Sequence, residues 1–173
     1  MRILCLGDSN TWGYDPRGYW GGRYDAPWPG ILAELTGWEV VGLGENGRQI
    51  PGAPVEIPAA DRILVMLGTN DLLQGASAEA VGERMEAFLT GGDFDCSHVV
   101  LICPPPMRRG AWVPSEALVA ASHRLGDVCQ ALADRLGIPF VDSRSWQIPM
   151  SFDGVHFTQE GHRIFAERLK EYL

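Results

Sequence analysis

At 173 residues, 46% of them hydrophobic, the chain can bury one sizeable core, and a single domain spanning 1–173 is expected. A net charge of -8 and the lack of any Lys or Arg run exclude a surface that tracks a nucleic-acid backbone, so no nucleic-acid partner is expected. The opening apolar run of MRILCLGD stops at Gly7 and Asp8, too short for a signal-peptide core or a membrane span, so no membrane partner is expected and a cytoplasmic location fits.

Short apolar runs alternate with longer amphipathic ones. RILCLG (2–7) reads as a strand buried on both faces, and GDSNTWGY follows it directly. A long loop over 12–28 then gathers Trp12, Tyr14, Tyr19, Trp20, Tyr24 and Trp28, the last opening the helix WPGILAELTG. WEVVGLG (38–44) and RILVMLG (62–68) are the next buried strands, leading into ENGRQ and TNDLL, and SAEAVGERMEAFLT reads as a helix. HVVLICP (98–104) is the fourth strand, ended by Pro104, Pro105 and Pro106, because Pro supplies no ladder donor. Leu118, Ala121, Leu125, Val128, Leu132 and Leu136 recur at helical spacing through 115–136, with Gly137 as C-terminal cap. IPFVD (138–142) is the fifth strand, and a last helix follows Thr158 as N-cap. Strand, helix, strand repeated in this way implies right-handed crossovers and a three-layer α/β/α sandwich around a five-stranded parallel sheet, of flavodoxin-like type. Cys5, Cys96, Cys103 and Cys129 lack CxxC spacing and read as reduced thiols.

The chemically suggestive residues all follow predicted strands. Ser9 follows the first, Gly47 the second, Asn70 the third, and Asp153 and His156 lie beyond the fifth. Carboxyl ends of parallel strands converge on one edge, so a single cleft can collect all five. A nucleophilic serine needs a base, a group that orients the base, and donors aimed at the oxyanion; the five residues supply each part.

GDSN, ENG, GTND and DGVH, in this order, resemble the four blocks of the SGNH, or GDSL-like, hydrolase family, and the match runs from residue 6 to His156. The resemblance implies Ser9 as nucleophile, His156 as general base and Asp153 as the carboxylate that holds the imidazole. It also implies an oxyanion hole built from the backbone N–H groups of Ser9 and Gly47 and the side-chain amide of Asn70. GDSN with TWG behind it is most similar to the arylesterase-like branch. The implied activity is a serine esterase that hydrolyses short-chain, acetyl-like acyl esters of small alcohols, phenols or sugars through an acyl-enzyme. No cofactor is expected, and no metal, because HxH, HExxH and a compact acidic cluster are all missing. The alternative is a phosphate- or nucleotide-binding module in which the 7–13 loop cradles the ligand without catalysis.

Specificity is expected from Trp12, Tyr14, Arg48, Met107 and Trp112, with Arg108 and Arg109 offering charge to an anionic substrate and Trp146 approaching from the loop before Asp153. Asp8 and Asp71 are expected to cap helices or anchor loops, His162 to be solvated or a local cap, and His98 and His123 to lie at the surface. The partner is a small-molecule ester, acetyl to butyryl in acyl length, with an acetylated carbohydrate preferred. A homo-oligomer is a reasonable expectation from the arylesterase-like relatives.

Overall fold

The computed structural model describes residues 1–53, 55–91 and 95–173. Strand β1 (Arg2–Gly7) runs into a single-turn helix α1 (Ser9–Trp12), and a small hairpin of β2 (Tyr14–Asp15) and β3 (Gly22–Arg23) follows. Then come α2 (Trp28–Thr36), β4 (Glu39–Gly44), β5 (Arg62–Met66), α3 (Thr69–Leu73) and α4 (Ala78–Gly91). β6 (Val99–Cys103), α5 (Glu116–Leu136), β7 (Phe140–Asp142) and α6 (Gln159–Lys170) complete the chain. The five long strands form one parallel sheet in the order β4-β1-β5-β6-β7, the SGNH-type α/β arrangement expected above.

Strand side chains alternate between faces, and this splits the apolar runs between two cores. Ile3, Cys5, Leu64, Met66, Val100 and Ile102 pack with Trp28 and Leu32 of α2 and Phe165 and Leu169 of α6. Ile63, Val65, Val99 and Leu101 face the other way, onto Val81, Met85 and Leu89 of α4 and Leu125, Cys129 and Leu132 of α5. Burying one such Leu or Ile contributes roughly 1.5–3 kcal/mol, which is why the central strands carry no polar side chain between their ends. β4 departs from the expectation of burial on both faces. It is the sheet's edge, and its residues are half exposed or exposed.

From β1 the chain crosses to β4 on one side and then returns to β5 on the other. The carboxyl end of β1 is therefore where the strand order reverses, the place where an open α/β sheet leaves a crevice for a ligand. Among the described residues, no helix is long and apolar enough to cross a membrane.

Candidate active site

β1 delivers Ser9 into that crevice. Asp8 caps α1, its Oδ1 accepting the Asn10 N–H at 2.9 Å, and Gly13 closes the turn with its N–H on the Ser9 carbonyl. α1 lies directly on the end of β4: a β-carbon on Gly44 would collide with the Trp12 amide nitrogen. Position 44 thus needs glycine so that the nucleophile-bearing turn can sit where it does.

Ser9 Oγ lies 2.9 Å from His156 Nε2, and His156 Nδ1 lies 2.7 Å from Asp153 Oδ2. Asp153 Oδ1 accepts the backbone N–H groups of Val155 and His156 at 2.9 and 3.0 Å, an Asx-type turn that folds the carboxylate back under its own loop. A carboxylate on Nδ1 assigns the ring proton to that nitrogen and leaves Nε2 as an acceptor toward Ser9. All three side chains are buried. Burial works against a charged Asp153, but the hydrogen bonds from the His156 ring and from two backbone N–H groups outweigh it and hold the carboxyl below its usual range. Asp8, beside them, goes the other way. Burial pushes its carboxyl up to about 6, against the opposing pull of the Asn10 N–H and the His156 and Arg48 charges.

The 108–112 segment braces the loop that carries Asp153 and His156. Arg108 N–H donates to Gly154 O at 2.9 Å, Ala111 N–H to Phe152 O at 3.1 Å, and Trp112 N–H to Asp153 O at 3.0 Å.

Asn70 stands in the first turn of α3, with one amide hydrogen donated to the Arg48 carbonyl at 3.0 Å. This bond ties the Glu45–Arg48 turn to α3, and Gly47 sits in that turn at φ 76°, a conformation that L side chains resist. Gly47 is exposed, and a β-carbon there would meet nothing within 4 Å, so the requirement is one of backbone conformation and not of space.

Residues 5–164 match the GDSL-like Lipase/Acylhydrolase family. The chain belongs to this family. As a GDSL-like, or SGNH, hydrolase it acts on ester bonds. Among solved structures it is similar to the native aryl esterase of M. smegmatis, at 26% identity and TM-score 0.83, over 98% of this chain and 96% of that one. It is also similar to a carbohydrate acetylesterase family member from Sinorhizobium meliloti, at 26% identity and TM-score 0.78, over 98% and 95% of the two chains. No curated protein matches it.

Two aromatic rings pack on His156 of this SGNH hydrolase, and a third packs behind one of them. The Tyr14 and His156 ring centroids are 4.7 Å apart, Trp112 meets the imidazole at 5.1 Å, and Trp12 lies 6.5 Å from Tyr14. Other aromatic residues of the long loop divide: Tyr24 and Trp28 are buried, while Tyr19 and Trp20 stand 92% and 90% exposed, packed on each other.

Several expectations are corrected. The Arg48 guanidinium donates to the carbonyls of Gly7, the last residue of β1, and Leu43 of β4 and pairs with Glu45 at 2.6 Å, so its donors are engaged by the strand ends and by its own turn. Met107 is buried in the α4/α5 core, its N–H on Ser122 Oγ, where its flexible thioether fills space between the β6 loop and α5. Trp146 packs on Phe165 and Tyr172, because a turn after β7 lays its large apolar ring into the core beside α6. Arg108 and Arg109 line a separate cleft of about 320 Å³ with His123 and Gln147, which Ser9 does not reach. His162 is fully buried: its Nδ1 accepts the Trp28 N–H at 3.3 Å, and burial followed by the His156 charge pulls its pKa down to about 3. The hydrophobic stripe of α6 continues through this position, which overrides the preference of histidine for solvent.

Asp8 and Asp71 do anchor structure, Asp71 accepting from Ile50 N–H and pairing with Arg84 at 2.8 Å. The 7–13 loop is a poor phosphate cradle, because a buried carboxylate already occupies the Asn10 N–H. Sequence reasoning missed Asn10 altogether, although its side chain reaches the loop of the base. The available signal was a polar amide directly after Ser9.

Proposed function

We propose that this SGNH hydrolase is a serine esterase that removes short acyl groups, acetyl to butyryl, from small alcohols, phenols or sugars through an acyl-enzyme at Ser9. The observation that carries the reading is the unbroken hydrogen-bonded chain from Ser9 Oγ through His156 to Asp153. His156 Nε2 takes the Ser9 proton as Oγ attacks the ester carbonyl, and Asp153 stabilises the imidazolium that forms. The oxyanion is met by the N–H groups of Ser9 and Gly47 and by the Asn70 amide hydrogen that Arg48 does not engage. Collapse expels the alkoxide, which takes the proton from His156 Nε2. Water, deprotonated by the same nitrogen, then adds to the acyl carbon; the bond to Ser9 Oγ breaks, Oγ takes the proton back from Nε2, and the carboxylic acid leaves.

The preferred substrate class is an acetylated sugar. Trp12, Tyr14 and Trp112 beside His156 offer apolar faces to a sugar or aryl leaving group. Similarity to an aryl esterase and to a carbohydrate acetylesterase family member supports the same choice. The free thiols of Cys5, Cys96, Cys103 and Cys129 support a reducing, cytoplasmic setting.

Intact mass after exposure to a fluorophosphonate tests the nucleophile. One adduct is expected on the wild type and none on Ser9→Ala; an unlabelled wild type overturns the reading. In an acyl series on one alcohol, acetyl to butyryl esters are expected to turn over fastest, and octanoyl esters outpacing acetyl esters would sink the short-chain assignment.

A further inference from the structure

We propose that Asn10 is a positioning residue whose side-chain amide grips the peptide groups on both sides of His156 and keeps the base aligned with Ser9 through turnover. Asn10 Nδ2 donates to the Val155 carbonyl at 3.0 Å, and Asn10 Oδ1 accepts the Phe157 N–H at 2.9 Å. These are the peptide groups immediately before and after the base, 145 and 147 residues away in the chain. The residue is buried, and its own N–H is fixed by Asp8. The inference rests on the serine esterase reading above.

The other hydrogen bonds of the base loop come from within it and from the 108–112 segment, and none of those comes from the nucleophile turn. His156 N–H goes to Asp153 Oδ1, His156 O accepts the Ser151 N–H at 2.7 Å, and the imidazole–carboxylate contact joins residues only three apart. Among the described residues, the hydrogen bonds that cross from the nucleophile turn to this loop are the Ser9–His156 bond and the two from Asn10. The first is lost in every cycle. Once Ser9 Oγ has become an ester oxygen it has no proton to give, and Nε2–H must turn to the leaving group. The Asn10 pair touches neither reacting atom and persists, so it sets the distance to which Nε2 returns. Asparagine suits the task because one planar group presents a donor and an acceptor side by side. A misplacement of about 1 Å in such a pair can cost about 100-fold in rate.

Two variants test the assignment, each followed by kcat, KM, thermal midpoint and rate of fluorophosphonate labelling. Asn10→Leu is expected to lower kcat and the labelling rate together by about 10- to 100-fold, with KM within about threefold, as expected for lost alignment. Asn10→Asp keeps the acceptor for Phe157 but at neutral pH sets a carboxylate oxygen against the Val155 carbonyl. As pH falls, a protonated carboxyl replaces the missing donor, so the ratio of its kcat to that of the wild type is expected to rise. The ratio for Asn10→Leu is expected to stay flat. Asp8 and Arg48 on the nucleophile side, Asp153 and His156 on the base loop, and Tyr24 and His162 behind it are the charged and titratable groups facing this position in all three proteins, and Asn10→Leu, with no titrating side chain at position 10, is the control for them.

A fallen thermal midpoint with unchanged kcat and labelling would make Asn10 a merely structural residue and overturn the proposal, as would a flat ratio for Asn10→Asp. Should Asn10→Leu fail to fold, the Asn10→Asp ratio decides alone. If the wild type itself takes no label at Ser9, the serine esterase reading fails and this proposal falls with it, an outcome distinct from a labelled wild type with unimpaired variants.

Discussion

The Trp112 indole meets the His156 imidazole edge to face at 5.1 Å, yet Trp112 remains 48% exposed. The contact leaves much of the indole free, as the proposed role of Trp112 in the substrate wall requires. Trp112→Ala is accordingly expected to raise KM for aryl or acetylated-sugar esters about 3- to 10-fold, the equivalent of one aromatic contact of about 0.5–1.5 kcal/mol, with kcat changed less. Steady-state kinetics on both ester classes check this, and a kcat loss at constant KM would place the role of Trp112 in the base and not in the substrate wall.

Asn70 has two amide hydrogens, of which Arg48 O takes one. Its removal is expected to lower kcat by about 100- to 1000-fold with little change in KM, because in the proposed mechanism the other hydrogen meets charge that develops only in the transition state. Asn70→Ala measured beside Asn70→Asp separates the donor from the packing. Activity surviving within tenfold in both would remove Asn70 from the oxyanion hole.

His162 makes acid stability measurable at one residue. Its pKa is about 3 in the fold and about 6.5 in the unfolded chain, so between these values the unfolded state binds the extra proton. Stability is unaffected above about pH 6.5 and declines as pH falls below it, by about 2 kcal/mol at pH 5. His162→Asn retains an acceptor for the Trp28 N–H and cannot protonate. Urea unfolding at pH 7.5 and pH 5 is expected to show the wild type losing more stability than the variant. Asp8, whose raised pKa acts in the opposite direction, is common to both proteins and cancels. Equal losses would contradict the assignment.

Much of the architecture was legible because burial leaves a period in the chain. Strands covered on both faces must be apolar at consecutive positions, and helices with one covered face must repeat at helical spacing, so β1, β5, β6, α5 and α6 were readable from residue type alone. The order of GDSN, ENG, GTND and DGVH likewise named Ser9, Gly47, Asn70, Asp153 and His156 as the residues to watch. What a linear pattern does not carry is the direction of a side chain whose chemistry allows two uses. Arg48 and Met107 suited a substrate wall by composition, but the Gly7 and Leu43 carbonyls and the Glu45 carboxylate claimed the first and the core against α5 the second. His162 looked solvated and is buried, because its neighbours on α6 and α2 close over it. The grip of Asn10 on both sides of His156 exists only when residues 147 positions apart meet at the end of β1. Local period follows from burial, which each segment records; partners across the fold follow from how the segments close on one another.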